Sequence, residues 1–171
     1  MHHNVDATMN LKTSTIIKAT YLIVSLLLIA LLVHEYSDYN LRVYSIKRLH
    51  VEVEDVCIYA NNSVLFLNLT YSLSNNGVKS LEVSMITYKI YFGSEVARTY
   101  SENFYGSPLT MKPLQRLLRS IVLKVPEFKL RRNTVNGTVR VYVLFNVYIK
   151  TRFGNTPVTY RGAVTLSVSG L

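Results

Sequence analysis

Hydrophobic residues follow two different patterns along the chain, one continuous and one alternating. The continuous pattern covers Ile16 to Val33, where fifteen of eighteen residues are apolar and Lys18 carries the only charge. A helix rises about 1.5 Å per residue, so this run would extend about 27 Å, close to the roughly 30 Å hydrocarbon core of a bilayer. The run therefore predicts a single membrane-spanning helix within residues 15–34.

Three interpretations of this apolar run are open. A core helix of a soluble domain would show a polar stripe, and the run has none. A cleaved secretory signal needs a small-x-small site after the apolar residues, whereas residues 34–38 read His-Glu-Tyr-Ser-Asp. These features favour an uncleaved signal anchor. Residues 1–14 would then form a cytoplasmic tail, disordered over residues 1–12, and residues 35–43 a juxtamembrane linker.

The charges that flank the span predict its orientation. Lys12 and Lys18 lie at its N-terminal side, while Glu35 and Asp38 follow it before the next basic residue. Lysine and arginine are enriched on the cytoplasmic side of membrane helices. We therefore expect a cytoplasmic N-terminus and place the residues after about 34 outside the cell.

The alternating pattern begins after the span and predicts β-strands. Every odd position from 65 to 73 is apolar, and so is every odd position from 139 to 149. Strict alternation is typical of a strand with one buried face. Strands are predicted at residues 49–54, 64–74, 81–92, 96–100, 117–125, 139–152 and 158–168.

Turn signals and one irregularity complete the predicted fold. The turns are expected at Ser74 to Gly77, at Asn136-Gly137 and at Gly154 to Pro157. Within 81–92 the apolar residues switch face near Met85, which predicts a β-bulge. About seven strands at hairpin spacing, with no second helix, indicate an all-β fold. We expect an antiparallel Ig-like β-sandwich at residues 44–171, preceded by a single N-terminal transmembrane helix.

Two segments resemble a known family. The first joins an alternating strand to the turn Ser74-Asn75-Asn76-Gly77 and to a strand that ends Tyr88-Lys89-Ile90-Tyr91-Phe92-Gly93. The second runs from Asn136-Gly137-Thr138 to Arg152-Phe153-Gly154. Over residues 44–168 the chain resembles the group-2 late-embryogenesis-abundant domain, also called the water stress and hypersensitive response (WHy) domain. The resemblance implies a small antiparallel sandwich, often behind a membrane helix, with no catalytic residues and a role in stress protection or binding. The family's usual Asn-Pro-Asn turn lacks its proline here.

The net charge of +9 comes from one part of the chain. Residues 34–111 carry a net charge of −2, with six basic and eight acidic residues, whereas residues 112–171 carry +10, with eleven basic residues and one acidic. Basic residues next to tyrosines are suited to phosphates, acidic glycans or anionic lipid headgroups. Nucleic acid is not the expected polyanion for a domain outside the cell. The predicted polyanion-binding face consists of Arg131, Arg132, Arg140, Tyr142, Tyr148, Lys150 and Arg152.

No motif predicts catalysis or a cofactor, and we expect neither an enzyme nor a metal site. The four histidines are scattered, and Cys57 lies in an apolar run that predicts a buried thiol. The acidic cluster at 52–55 fits the polar face of a strand. Three Asn-x-Ser/Thr sequons, at Asn61, Asn68 and Asn136, all fall on the predicted outer side.

These features predict a single-pass membrane protein that displays a non-catalytic β-sandwich for binding, stress protection or envelope organisation. Its expected partners are the bilayer, through Ile16 to Val33, and anionic headgroups, glycans or another envelope protein. The alternative is a pilin-like subunit of a surface filament whose N-terminal helix polymerises. Archaeal pilins resemble this layout, and Lys18-Ala19-Thr20 stands where their leader would be cut.

Overall fold

The computed structural model describes residues 3–62 and 64–168 of the 171-residue chain, with side chains from residue 16 onward. The chain divides into two units, Met1–Asn40 and Leu41–Leu171. The order of elements is α1 (His3–Lys47), β1 (Leu49–Asn61), β2 (Val64–Asn75), β3 (Leu81–Phe92), β4 (Glu95–Asn103), β5 (Leu109–Met111), β6 (Arg116–Lys124), α2 (Glu127–Asn133), β7 (Thr138–Thr151) and β8 (Gly154–Ser167).

Helix α1 is longer than the apolar run that predicts it. It includes the expected tail from residue 3 onward and continues through 35–43, where we expected a linker. No glycine or proline occurs between residues 34 and 47, so nothing in the sequence stops the helix there. Every residue from 16 to 33 is exposed. The interpretation as the buried core helix of a soluble domain is therefore wrong.

In the described part of the chain, eight strands form two antiparallel sheets. One sheet has the order β1-β2-β6, and the other has the order β4-β3-β7-β8 with β5 paired to β3. The predicted alternation is confirmed in both, because the odd positions of β2 from 65 to 73 and of β7 from 139 to 149 are all buried. These two strands lie at the centres of their sheets, and their apolar side chains meet in one shared core.

The irregularity predicted in β3 is also confirmed. Its pairing with β7 shifts between Val83 and Met85, so Val83 and Ile86 both face the core. A bulge adds one residue to one strand of the pair and reverses the side-chain alternation beyond it. A second register shift, in β1 between Val53 and Asp55, was not predicted.

Three local predictions need correction. The described residues form eight strands rather than about seven, because β5 is only three residues long and too short to show alternation. Residues 127–133 form a second helix, α2, where none was expected; Pro126 precedes it, and an i,i+4 ion pair between Glu127 and Arg131 stabilises it. The expected turn at Gly154 to Pro157 is already part of β8. Proline fits there because β8 is an edge strand.

A chain of polar contacts joins the two sheets inside the core. The hydroxyls of Tyr71 and Tyr88 lie 2.5 Å apart, and Tyr88 donates to Glu102 at 2.7 Å. Arg119 binds the other oxygen of that carboxylate at 2.6 Å. Burial raises the pKa of Tyr71 to about 12 and also raises the pKa of Tyr88, so both phenols stay protonated. The chain links β2 and β6 of one sheet to β3 and β4 of the other.

Candidate basic groove

The residues predicted to form the polyanion-binding face on β7 lie at opposite ends of that strand. Arg140 and Tyr142 lie near the start of β7, whereas Tyr148 and Lys150 lie near its end. Ten residues of strand separate Arg140 from Lys150, which corresponds to about 33 Å. The seven predicted residues therefore do not form one compact site.

Several of the predicted cations have acidic or other partners. Lys150 lies 3.8 Å from Glu82, and Arg131 binds Glu127 at 2.6 Å on the surface of α2. Arg152, just after β7, is not a free cation either. The end of β7 and this side of α2 consequently offer little unpaired positive charge to a ligand.

The start of β7 gathers the remaining residues around a groove. Two shallow, open hollows of about 360 and 710 Å³ share Gly93, Ser94 and Tyr142 in their linings. Leu144 and Arg161 line the first hollow, and Arg132 and Arg140 line the second. We call this feature the basic groove, defined by Tyr91, Arg132, Arg140, Tyr142 and Arg161.

Strand register explains why these residues meet. On the outer face of the larger sheet, Tyr91 of β3 pairs with Tyr142 of β7. Leu144, two residues further along β7, has Lys89 on one side and Arg161 on the other. Sequence reasoning missed Tyr91, Lys89 and Arg161, because their place beside β7 depends on pairing between strands far apart in sequence.

The cations of the basic groove have no acidic partners among the residues the structure describes. Arg140 stacks instead on Tyr142, with its guanidinium carbon 4.9 Å from the ring centroid. Glu95, which follows the Gly93-Ser94 turn of the groove, carries a carboxylate that already has partners. The Lys129 ammonium lies 3.8 Å from it, and the Asn133 amide donates a hydrogen bond to it at 3.3 Å. The positive charge of the groove thus remains available to an external anion.

The three sequons differ in their surroundings. Asn136 is exposed in a turn where it and Gly137 both have positive φ, as the hairpin prediction requires. Asn68 is half-buried at the centre of the smaller sheet, and its side-chain oxygen has no hydrogen-bond partner among the residues that the structure describes. Asn61 is exposed, but Ser63, the third residue of its sequon, lies outside the described residues.

Where the structure describes their side chains, the remaining candidate residues show no catalytic arrangement. Cys57 is exposed rather than buried, because the register shift in β1 turns Val56 toward the core and its neighbour outward. In the cluster at 52–55, Glu54 accepts hydrogen bonds from Ser72 and Arg116, which lower its pKa. Across the described part of the chain, no three His, Cys, Asp or Glu side chains group as metal ligands do.

Comparison with known proteins gives similarity of fold. No protein-family model and no curated protein matches the chain. Among solved structures, the Arabidopsis thaliana protein AT1g01470 matches with a TM-score of 0.52 at 16% identity, over 68% of this chain and 80% of its own. A protein from Archaeoglobus fulgidus matches with a TM-score of 0.47 at 18% identity, over 70% of this chain and 100% of its own. A protein described as a candidate late embryogenesis abundant protein, At2g46140.1, matches with a TM-score of 0.48 at 11% identity, over 79% of this chain and 88% of its own.

The expected resemblance is confirmed at the level of structure. The β domain is structurally similar to late-embryogenesis-abundant, WHy-like proteins at low sequence identity. Because all three identities are below 20%, the likeness concerns the fold and says nothing about ligands.

Proposed function

We propose that this chain is a single-pass membrane protein whose uncleaved helix holds an Ig-like β-sandwich on the outer side of the membrane. The β domain acts there without catalysis, in binding, in protection against stress or in organising the envelope. The N-terminus lies in the cytoplasm. The lipid bilayer is the partner of Ile16 to Val33.

The exposed apolar surface of α1 supports this proposal most directly. The helix contains an 18-residue window with a mean hydropathy of 2.6, and none of that window is buried. Leaving a single leucine or isoleucine side chain in water instead of burying it costs about 1.5–3 kcal/mol. A helix with this many exposed apolar side chains needs an apolar environment around them, and the hydrocarbon core of a bilayer supplies one along the apolar run, Ile16 to Val33.

The residues that flank the apolar run fit the same environment. Tyr36 and Tyr39 are 69% and 52% exposed, just beyond its C-terminal end. Tyrosines are enriched where membrane helices cross the headgroup region, because the ring is apolar and the hydroxyl is polar. Lys12 and Lys18 at the other end favour a cytoplasmic N-terminus.

Glycosylation mapping tests the orientation with the chain's own sequons. In microsomes of a cell that N-glycosylates, we expect an increase in mass that an endoglycosidase removes. The triple variant Asn61→Gln, Asn68→Gln, Asn136→Gln should abolish that increase, because glycans are added only on the lumenal side, which corresponds to the outside of the cell.

A reporter on the opposite side provides the control. In the triple variant, Asp6→Thr completes a sequon at Asn4, twelve residues before Ile16. This sequon should stay unmodified if the N-terminus is cytoplasmic. Modification at Asn4 together with unmodified native sequons would reverse the proposed topology, and no modification on either side would contradict membrane insertion.

A further inference from the structure

The basic groove brings unpaired cations and tyrosines together. The function proposed above gives no role to this arrangement. Arg132 of α2, Arg140 of β7 and Arg161 of β8 are exposed, and in the described residues none of them has an acidic partner. Tyr91 and Tyr142, adjacent on neighbouring strands, lie half-buried between them. Three separate elements thus contribute charge to one feature.

We propose that the basic groove binds an extended acidic polysaccharide. Its sulfate, phosphate or carboxylate groups accept hydrogen bonds from Arg132, Arg140 and Arg161, and its sugar rings pack against Tyr91 and Tyr142. Guanidinium groups bind such oxyanions in a bidentate fashion. The choice of a polysaccharide rests on the proposed location of the β domain outside the cell.

The spacing of the cations favours a long ligand over a small anion. Arg140 pairs with Thr165, whereas Arg161 pairs with Leu144, so the two arginines are four residues apart along the strands. That offset is about 13 Å, too far for a single phosphate or sulfate to contact both. A polymer with an acidic group on successive sugar units can contact both arginines while crossing the tyrosines between them.

The shape of the groove favours a polysaccharide over a lipid surface. Proteins that enter the headgroup region present protruding apolar side chains next to their cations. Of the residues that line the basic groove, only Val135 is a large and strongly exposed hydrophobic residue. Tyr91 and Tyr142 are half-buried side chains on the neighbouring strands β3 and β7, where they can receive a sugar ring but cannot reach into a bilayer.

The test compares two variants that remove the same amount of charge. The groove variant carries Arg132→Gln, Arg140→Gln and Arg161→Gln, and the control variant carries Arg98→Gln, Lys112→Gln and Lys124→Gln, all exposed residues outside the groove. The full chain in neutral detergent is titrated with heparin, a sulfated polysaccharide, and with uncharged dextran. We expect the groove variant to lose about tenfold or more in heparin affinity, and its salt dependence to become shallower. The control should lose about twofold.

Each other outcome has a defined meaning. Equal losses in the two variants, or no binding of heparin by the native chain, would overturn the proposal. Binding to vesicles containing phosphatidylglycerol that requires the groove arginines, without heparin binding, would assign the groove to a lipid headgroup instead. An additional Tyr142→Ala variant should weaken heparin binding while Tyr142→Phe retains it. Because the purified chain is used, a failure here does not depend on the membrane topology.

Discussion

Replacing Leu26 and Leu27 by arginine is expected to release the protein from the membrane. Both leucines lie near the middle of the apolar run, with 57% and 60% of their surface exposed. An arginine at the centre of a membrane helix costs about 2.5–3.5 kcal/mol for insertion, and each lost leucine removes a favourable contribution as well. The double change therefore costs about 6 kcal/mol or more, a factor of roughly 10⁴ in the insertion equilibrium. Extraction of membranes with alkaline carbonate should leave the native chain in the pellet and move the variant to the supernatant.

A matched variant separates this effect from general disruption of the helix. Leu26→Ile with Leu27→Ile keeps the apolar surface and should remain in the pellet. Near-ultraviolet circular dichroism of the released arginine variant should still show tyrosine signals of the folded β domain, because its core does not include residues 26 and 27. An arginine variant that stays in the pellet would show that this run does not anchor the chain.

Substituting Asn75 by alanine should destabilise the β domain more than any surface change. This side chain is completely buried, and its amide donates to the carbonyls of Lys79, Met111 and Lys112 at 2.9–3.2 Å. Its own oxygen accepts a hydrogen bond from Gly77 at 3.0 Å. Alanine leaves these groups without partners, and each unsatisfied buried group costs about 1–3 kcal/mol. We expect a loss of about 3–5 kcal/mol and a melting temperature lower by roughly 10–20 °C.

The neighbourhood of Asn75 explains why the structure would not relax around the gap. Ser45, in the last turn of α1, accepts hydrogen bonds from the backbone of Val78 and Lys79 at 3.0 and 2.9 Å. A Cβ added to Gly77 would lie 2.4 Å from the Cα of Ser45, so the loop packs directly on the helix backbone. The loop has no room to rearrange and provide new partners.

Asn76 offers a control one residue away. Its side chain is exposed, so Asn76→Ala should change the stability by less than about 0.5 kcal/mol. Asn75→Asp, which keeps the acceptor but loses the donor, should lose at least as much stability as Asn75→Ala. Thermal unfolding of the full chain in detergent, followed by near-ultraviolet circular dichroism, measures all three. Equal melting temperatures for the alanine variants at 75 and 76 would contradict this role of Asn75.

Local pattern was sufficient to predict most of the strands. Alternation over residues 139–149 located β7 and its buried face, and the switch of face near Met85 located a bulge that the structure contains. Such patterns work because a strand exposes alternate side chains to opposite faces, whatever its neighbours are. Residue patterns did not predict β5, which is too short to show alternation, or α2, whose seven residues complete only two turns.

Features that depend on distant partners could not be predicted. Asn75 was recognised as a turn residue, yet two of its three acceptor carbonyls come from residues 36 and 37 positions later. Arg161 joins Arg140 only through the register of β7 with β8. The exposure of Cys57 follows from a register shift in β1, where the apolar residues switch from odd positions up to Val53 to even positions from Val56, a signal that was overlooked. For Asn75 and Arg161 the deciding information is the pairing of chain segments, which the residue pattern of a single segment does not contain.

The intact mass of the mature protein in the membrane fraction tests the central claim most directly. An uncleaved anchor predicts that residues 1–34 remain covalently attached to the β domain, so the measured mass includes both. A mature chain that begins near Thr20 would contradict the anchor and support the filament subunit, whose helix polymerises after its leader is removed. A chain that begins after residue 34 would contradict it as well, because the apolar run would then be a cleaved signal that leaves the β domain without a membrane helix.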